Sequence, residues 1–314
     1  MIRTWFLDDP RAAAVQGLPD AEARHRPHWV EVVEPDDAEQ RELKAHYGVH
    51  DVTLGAAMRE GHPPRLLESA LHVGVILQTP LATTDKGFRK IGVLLADGWV
   101  LTVLRKPLAP LQHMLQHLRA KAAESGLAPG DVLYALLDQA TLGFEGLADA
   151  IYDRALALER SLDEDANGSF LKELLSVRQD LLRLNRSLRR QRDVIQSLSR
   201  HEHPVIGERL RPYLRDVADH MTRVYEMAEA AREGILALRD THLSLVNNRL
   251  SETMRVLTVI ATIMMPLSLV AGIYGMNVEN LPGGRNPLAI WAILGGMVVV
   301  AVGMLAWFRR RHWL

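Results

Sequence analysis

Tyr274-Gly275-Met276-Asn277 close a run of 23 residues, Val256 to Val278, that contains no Lys, Arg, Asp or Glu. In a helix, the last carbonyls of such a run carry the negative end of the backbone dipole. Asn277 adds a side-chain carbonyl to that end, and together these acceptors favour a cation. A magnesium-like ion gives up its water reluctantly, so neutral carboxamides suit the hydrated ion better than a cage of carboxylates. One chain supplies one such Asn, and a pathway ringed by it needs several copies. Behind this mouth, Ser251, Met254, Thr258, Thr262, Met265, Ser268 or Leu269, and Gly272 recur every three or four residues, with Leu257 beside them. They suit the lining of a narrow channel, with Leu257 as an apolar constriction that gates by dewetting. Ser, Thr and Met at these positions equally suit helix packing and hydroxyl-to-backbone bonds. Pro266 should bend the helix just inside the mouth, with the hydroxyls of Thr262 and Ser268 placed to satisfy the freed backbone groups.

Other chemistries are narrowed by composition. The 314 residues include no Cys, which excludes disulfides, thiolate metal sites and cysteine nucleophiles. Oxygen and imidazole remain as metal ligands. Among thirteen His, the pairs His113/His117 and His201/His203 have spacings that suit zinc, although no third ligand lies nearby and surface histidines read equally well. No G-x-x-x-x-G-K-[ST] motif occurs, so pumping driven by ATP has no support. With 37 Lys and Arg against 38 Asp and Glu, the chain lacks the basic excess of a nucleic-acid binder.

The elements that position these residues follow from hydropathy. The mean value of −0.03 describes an ordinary soluble protein, yet it averages two unlike parts. A second uncharged run, Asn286 to Phe308, follows the first, and each is long enough to span a bilayer core of about 30 Å. Arg239, Arg249 and Arg255 precede the first run, Arg309, Arg310 and Arg311 follow the second, and the connection holds only Arg285. The positive-inside rule then places both termini in the cytoplasm and the connection outside. Trp291, Trp307 and Trp313 suit the two interfacial belts. The N-terminus shows no basic region followed by an apolar core, so no cleaved signal peptide is expected.

The rest of the chain reads as an α/β domain followed by long helices. His28–Val33 is a strand pattern, Asp36 or Asp37 can cap a helix ending near Gly48, and 71–78, 88–95 and 99–104 are strand-like. Asp97-Gly98 predicts a type I′ hairpin turn. Helical spacing runs over 131–163 and 170–198, and the second stretch carries Arg178, Arg183, Arg186, Arg189, Arg190 and Arg192. That charge run is a solvated face, or a surface for anionic headgroups. A third helical pattern starts near Ile206 or Pro212 and meets no turn cluster before Pro266. As one helix it would reach about 90 Å. The expected organisation is 1–125 as an α/β domain, 126–205 as an antiparallel helical pair and 206–255 as a stalk. Residues 256–276 form the first span, 277–286 the external loop, 287–308 the second span and 309–314 a basic tail.

The tail end of this sequence resembles the CorA family of divalent-cation transporters, whose mark is Gly-Met-Asn closing the first of two C-terminal spans. Tyr213-Leu214-Arg215-Asp216-Val217, Val246-Asn247-Asn248-Arg249-Leu250, Met254 to Ile263, Pro266-Leu267 and Ala271 to Asn277 match in order, so the likeness covers about 212–282. It implies a funnel-shaped homopentameric channel in the inner (plasma) membrane that takes up Mg²⁺, and also Co²⁺ or Ni²⁺, passively. No enzymatic activity and no covalently bound cofactor is implied; the divalent ion is both substrate and regulator. The family's pore-facing positions fall on Ser251, Met254, Leu257, Met265, Ser268, Gly272 and Asn277. Ser stands at 251 and 268 where relatives often carry Asn or Thr, which leaves the ion preference open. The family's cytoplasmic metal sensor falls on Asp216, with Asp240 at a lower acidic ring; Asp219 is added by spacing. A carboxylate-lined seam between subunits repels itself until a cation bridges it. The sensor's N-terminal partner acid is not found in 104–118. Glu279 in the external loop agrees with CorA, whereas Pro282-Gly283-Gly284 resembles the zinc-transporting, ZntB-like branch. A membrane-anchored scaffold that conducts nothing is the alternative of a different class.

Overall fold

The computed structural model describes residues 1–9, 14–59, 63–81, 87–106, 114, 118, 127–162, 169–200, 202–276, 287–311 and 313. The chain divides into two compact units, Met1–Leu236 and Ala237–Leu314.

The first unit is built on seven strands: β1 (Ile2–Phe6), β2 (Val15–Gln16), β3 (His28–Val33), β4 (Arg65–Glu68), β5 (His72–Pro80), β6 (Phe88–Ala96) and β7 (Trp99–Leu104). Their order in the sheet is β2-β1-β3-β7-β6-β5-β4. Only β3 and β7 pair in parallel, His28 opposite Trp99 through Val33 opposite Leu104; the other pairs are antiparallel. Helices α1 (Asp37–Tyr47) and α2 (Asp51–Met58) follow β3. Asp36 caps α1 through the backbone N–H groups of Ala38 and Glu39, while the Glu39 side chain accepts from the Asp36 N–H. This reciprocal arrangement satisfies donors that the first turn leaves over. The turn at Asp97-Gly98 differs from expectation. Only Gly98 has a positive φ, 81°, whereas a type I′ turn needs it at both central residues.

Leu43, Tyr47, Leu54, Ala56 and Ala57 of these helices pack on Ile2, Val30, Val32, Ile76, Leu94, Leu101 and Val103 of the sheet. The opposite face is covered by α3 (Pro129–Arg160) and α4 (Ser169–Arg200), which explains why all six residues of β3 are buried. Trp29, fully buried, packs its ring 5.1 Å from that of Trp5 at a tilt of 30° and donates its indole N–H to Thr102 Oγ1 at 3.0 Å. Arg154 of α3 clamps α4 by donating to Asp180 and Glu173, both at 2.7 Å. Gln191 of α4 accepts from the Gln78 N–H and donates to the Gln78 carbonyl, so the helix continues the hydrogen bonding of β5.

Helix α5 (Arg211–Tyr274) is unbroken over 64 residues. Within the first unit it buries Leu214, Val217, Met221, Val224, Ala228, Ala231 and Ile235, alternate steps of three and four that make one apolar seam. The second unit holds the remainder of α5 and α6 (Pro287–Arg310). Both helices are long and apolar enough to cross a membrane. The fold class therefore matches expectation: an N-terminal α/β sheet domain, a long-helix stalk and C-terminal apolar helices.

The N-terminal core carries a pH dependence. His28 is fully buried, with Nδ1 2.7 Å from the Arg26 carbonyl and Nε2 2.8 Å from the Tyr47 hydroxyl. His72 is 2% exposed, and neither ring nitrogen has a hydrogen-bond partner among the described residues. Burial lowers the pKa of both, and of His46, below the ordinary value of 6.5. Below 6.5 the unfolded chain binds more protons than the folded one, so stability is full above that pH and falls as acid takes it through the lowered folded values. Glu31, raised above 4.5 by burial, has the opposite sign and acts only above 4.5. The melting temperature of the full-length protein should fall on acidification from neutral pH. His72→Leu, which removes a titrating group with no hydrogen bond to lose, should flatten that limb; calorimetry at stepped pH reads both.

Candidate ion pathway

The end of α5 is drawn tight. The Gly275 N–H donates to the Ala271 carbonyl at 2.9 Å and the Met276 N–H to the Ile273 carbonyl at 3.3 Å. A side chain at Gly275 would meet the Ala271 carbonyl oxygen at 2.9 Å, closer than Cβ atoms normally approach backbone. Met276 is exposed. Asn277 and Glu279 lie outside the described residues. The helix ends at Tyr274, and hydrogen-bonded turns carry the described chain on to Met276, the residue before Asn277.

Upstream, the second unit resolves α5 into two faces. Val259 is buried, Ile263, Pro266 and Val270 are half-buried, and on α6 Phe308 is buried. A hollow of about 340 Å³ between the helices is bounded by Thr262, Gly303, Met304, Trp307 and Phe308. This side of α5 faces α6. Met254, Leu257, Met265, Ser268 and Gly272 lie on the opposite side in steps that keep helical register, and all five are exposed. Ser251 and Thr258 are also exposed and flank this stripe, whereas Thr262 borders the hollow shared with α6. The Thr258 hydroxyl donates to the Met254 carbonyl and that of Thr262 to the Thr258 carbonyl, both at 2.7 Å. The Thr262 proton is thus committed four residues back, instead of serving a group freed by Pro266. Sequence spacing alone did not separate these faces, because it carries no sign of where α6 packs.

The acidic candidates sit on α5. Asp216 and Asp219 are exposed on its first turns. Asp138 of α3 and Asp216 both act on Tyr134, whose phenol is raised first by burial and then by these two carboxylates. Asp138, on the earlier helix α3, thus shares surroundings with Asp216. Asp240 is exposed and pairs with Arg239 at 2.8 Å, a surface contact worth about 0 to 1 kcal/mol. Among the described residues no group of three or more His, Asp or Glu is placed to hold a metal. His113, His117 and His201 lie outside the described residues. His203 is engaged structurally: Nε2 lies 2.8 Å from the Ser69 carbonyl, and Nδ1 accepts from the Val205 N–H at 3.2 Å.

An α/β domain, a stalk helix continuing into an uncharged span and a Gly-Met-Asn at its carbonyl end define the class: a transporter of divalent metal ions. The chain belongs to the family described as CorA-like Mg²⁺ transporter protein, which matches residues 25–310. It is 29% identical over 302 residues to the cobalt/magnesium transport protein CorA of Thermotoga maritima, covering 92% of this chain and 84% of the relative. The solved structure of the CorA magnesium transporter from Methanocaldococcus jannaschii has the same fold, with a TM-score of 0.84 at 24% identity over 100% of this chain and 99% of that one. The zinc transport protein ZntB of Pectobacterium atrosepticum is 21% identical over 318 residues, 100% of this chain and 96% of the relative. The two apolar helices are accordingly transmembrane helices.

Proposed function

We propose that this chain is one subunit of a homopentameric channel that admits hydrated Mg²⁺, and also Co²⁺ and Ni²⁺, across the inner (plasma) membrane. The observation that carries the reading is the unbroken α5, which runs through the first uncharged stretch to Tyr274, directly before Gly275-Met276-Asn277 in the sequence. Five copies would ring the mouth with neutral carboxamides that grip a hydrated ion without stripping it. Met254, Leu257, Met265, Ser268 and Gly272 line the path, and Leu257 supplies the apolar constriction. A divalent ion gains about 4.6 kcal/mol in moving through about 100 mV, enough for uptake without chemical energy. Both termini lie in the cytoplasm, where Asp216, Asp219 and Asp240 bind regulatory divalent ions between subunits and close the path. No chemical step is catalysed.

A second reading, proton-coupled zinc transport, is favoured by the ZntB relative and by the sequence Pro282-Gly283-Gly284. Flux of Mg²⁺, Co²⁺, Ni²⁺ and Zn²⁺ into proteoliposomes, with and without a proton gradient, separates the two. Uptake of Mg²⁺ set by membrane potential alone is the expected result. Zn²⁺ preference with proton dependence moves the chain to the zinc branch, and absence of all flux leaves a membrane-anchored scaffold.

A further inference from the structure

A cavity of about 410 Å³ opens in the first unit where α4 ends and α5 begins. Its wall carries three guanidinium groups, Arg200, Arg211 and Arg215, and two carboxylates, Glu202 and Asp219. Elsewhere in the unit arginines beside acids are clamped to them: Arg209 to Asp131 at 2.6 Å, Arg26 to Asp8 at 2.7 Å, Arg154 to Asp180 at 2.7 Å. Among the described residues none of the five cavity charges forms an ion pair. Arg211 goes further, since its Nε is shielded from solvent and has no hydrogen-bond partner. A charged donor shielded from solvent and left unmet is unfavourable, and an anion held in the cavity would relieve it. The N-terminus of α5, with its partial positive charge, begins at the same wall.

The two carboxylates narrow the ligand. They oppose a bare polyanion, but magnesium is commonly held by one or two carboxylates through its waters together with phosphate oxygens. The volume falls within the roughly 300 to 1,000 Å³ of small-molecule sites and exceeds what a single ion needs. We infer that this cavity binds a magnesium-chelated polyphosphate, with Arg200, Arg211 and Arg215 on the phosphates and Glu202 and Asp219 towards the metal's waters, which gives Asp219 this role in place of one between subunits and leaves Asp216 and Asp240 there. With no P-loop in the chain, the site reads the chelate and does not hydrolyse it. A regulator placed here would report magnesium held by phosphates, a different quantity from free ion.

The test is calorimetric titration of the full-length protein in detergent, a readout that needs no ion flux and so fails independently of the transport reading. The probes are ATP with Mg²⁺, ATP with EDTA, pyrophosphate with Mg²⁺, and Mg²⁺ alone. Saturable binding of the ATP chelate is expected, weakened about tenfold or more by Arg211→Gln and by Arg215→Gln. Arg183→Gln, on the exposed face of α4, should leave it unchanged. Glu202→Gln should weaken the chelate and tighten ATP in EDTA, a reversal that general unfolding does not produce. Equal affinity for the pyrophosphate chelate would assign recognition to the phosphates, and a preference for ATP would add the nucleoside. Lack of saturable binding, equal loss in Arg183→Gln, or the same heat from Mg²⁺ alone would overturn the inference.

Discussion

Asn277→Ala should reduce Mg²⁺ flux into proteoliposomes to the level of empty vesicles, while the protein still assembles and melts as the wild type does. The expected size follows from repetition. A hydrogen bond to a charged group contributes about 1.5 to 3 kcal/mol, roughly tenfold or more, and in a homo-oligomer every copy loses its carboxamide at once. Asn277→Asp separates charge from geometry. Carboxylates at the mouth should bind divalent ions more tightly yet pass them more slowly, because an ion held too firmly does not leave. Wild-type flux in Asn277→Ala would remove the mouth from this position.

Gly275→Ala should lower flux at least tenfold without a change in melting. The added Cβ would stand 2.9 Å from the Ala271 carbonyl oxygen, a backbone atom that cannot rotate aside, so the final turn must shift. Positioning of groups around a reacting or binding centre tolerates about 0.5 Å, and Asn277 follows the displaced turn by two residues. Stability should be spared because the neighbouring Met276 is 60% exposed and packs little. Gly146→Ala on α3 is the matching control: no atom lies within 4 Å of its Cβ position, and Ala is the better helix former. A Gly275→Ala protein that conducts like the control would show that the turn has slack.

Much of the fold was legible because its signals are local. The Asp36 cap, the termination at Gly48, the uncharged spans and the 3.6-residue spacing of α3, α4 and α5 can be read within a few turns of chain. The parallel pairing of β3 with β7 has no such signal, since it joins segments some seventy residues apart. Strands β1, β2 and β4 were not anticipated for the same reason: each is short, and β1 owes its state to a neighbour, β3, more than twenty residues away. Helix α2 was also missed. Its eight residues include Val52, Thr53 and Gly55, weak helix formers, and its place is decided by Ala56 and Ala57 packing on the sheet. The candidate site divides in the same way. Gly275-Met276-Asn277 is legible as a motif, whereas the split between Met254, Leu257, Met265, Ser268 and Gly272 and the α6-facing Thr262 depends on Val259 and Phe308 being buried.

The hydroxyls along α5 have a polarity of their own. Thr253, Thr258 and Thr262 each spend their proton on the carbonyl four residues earlier, at 2.7 to 2.9 Å. An O–H committed in this way presents only lone pairs outward. Of the three, only Thr258 flanks the exposed stripe; there a positive guest would find oxygen and a chloride or phosphate no proton to share, whereas Thr262 turns towards α6. Where the proposed path passes Thr258, exclusion of anions would rest on the backbone bonding of the helix and not on a formal charge.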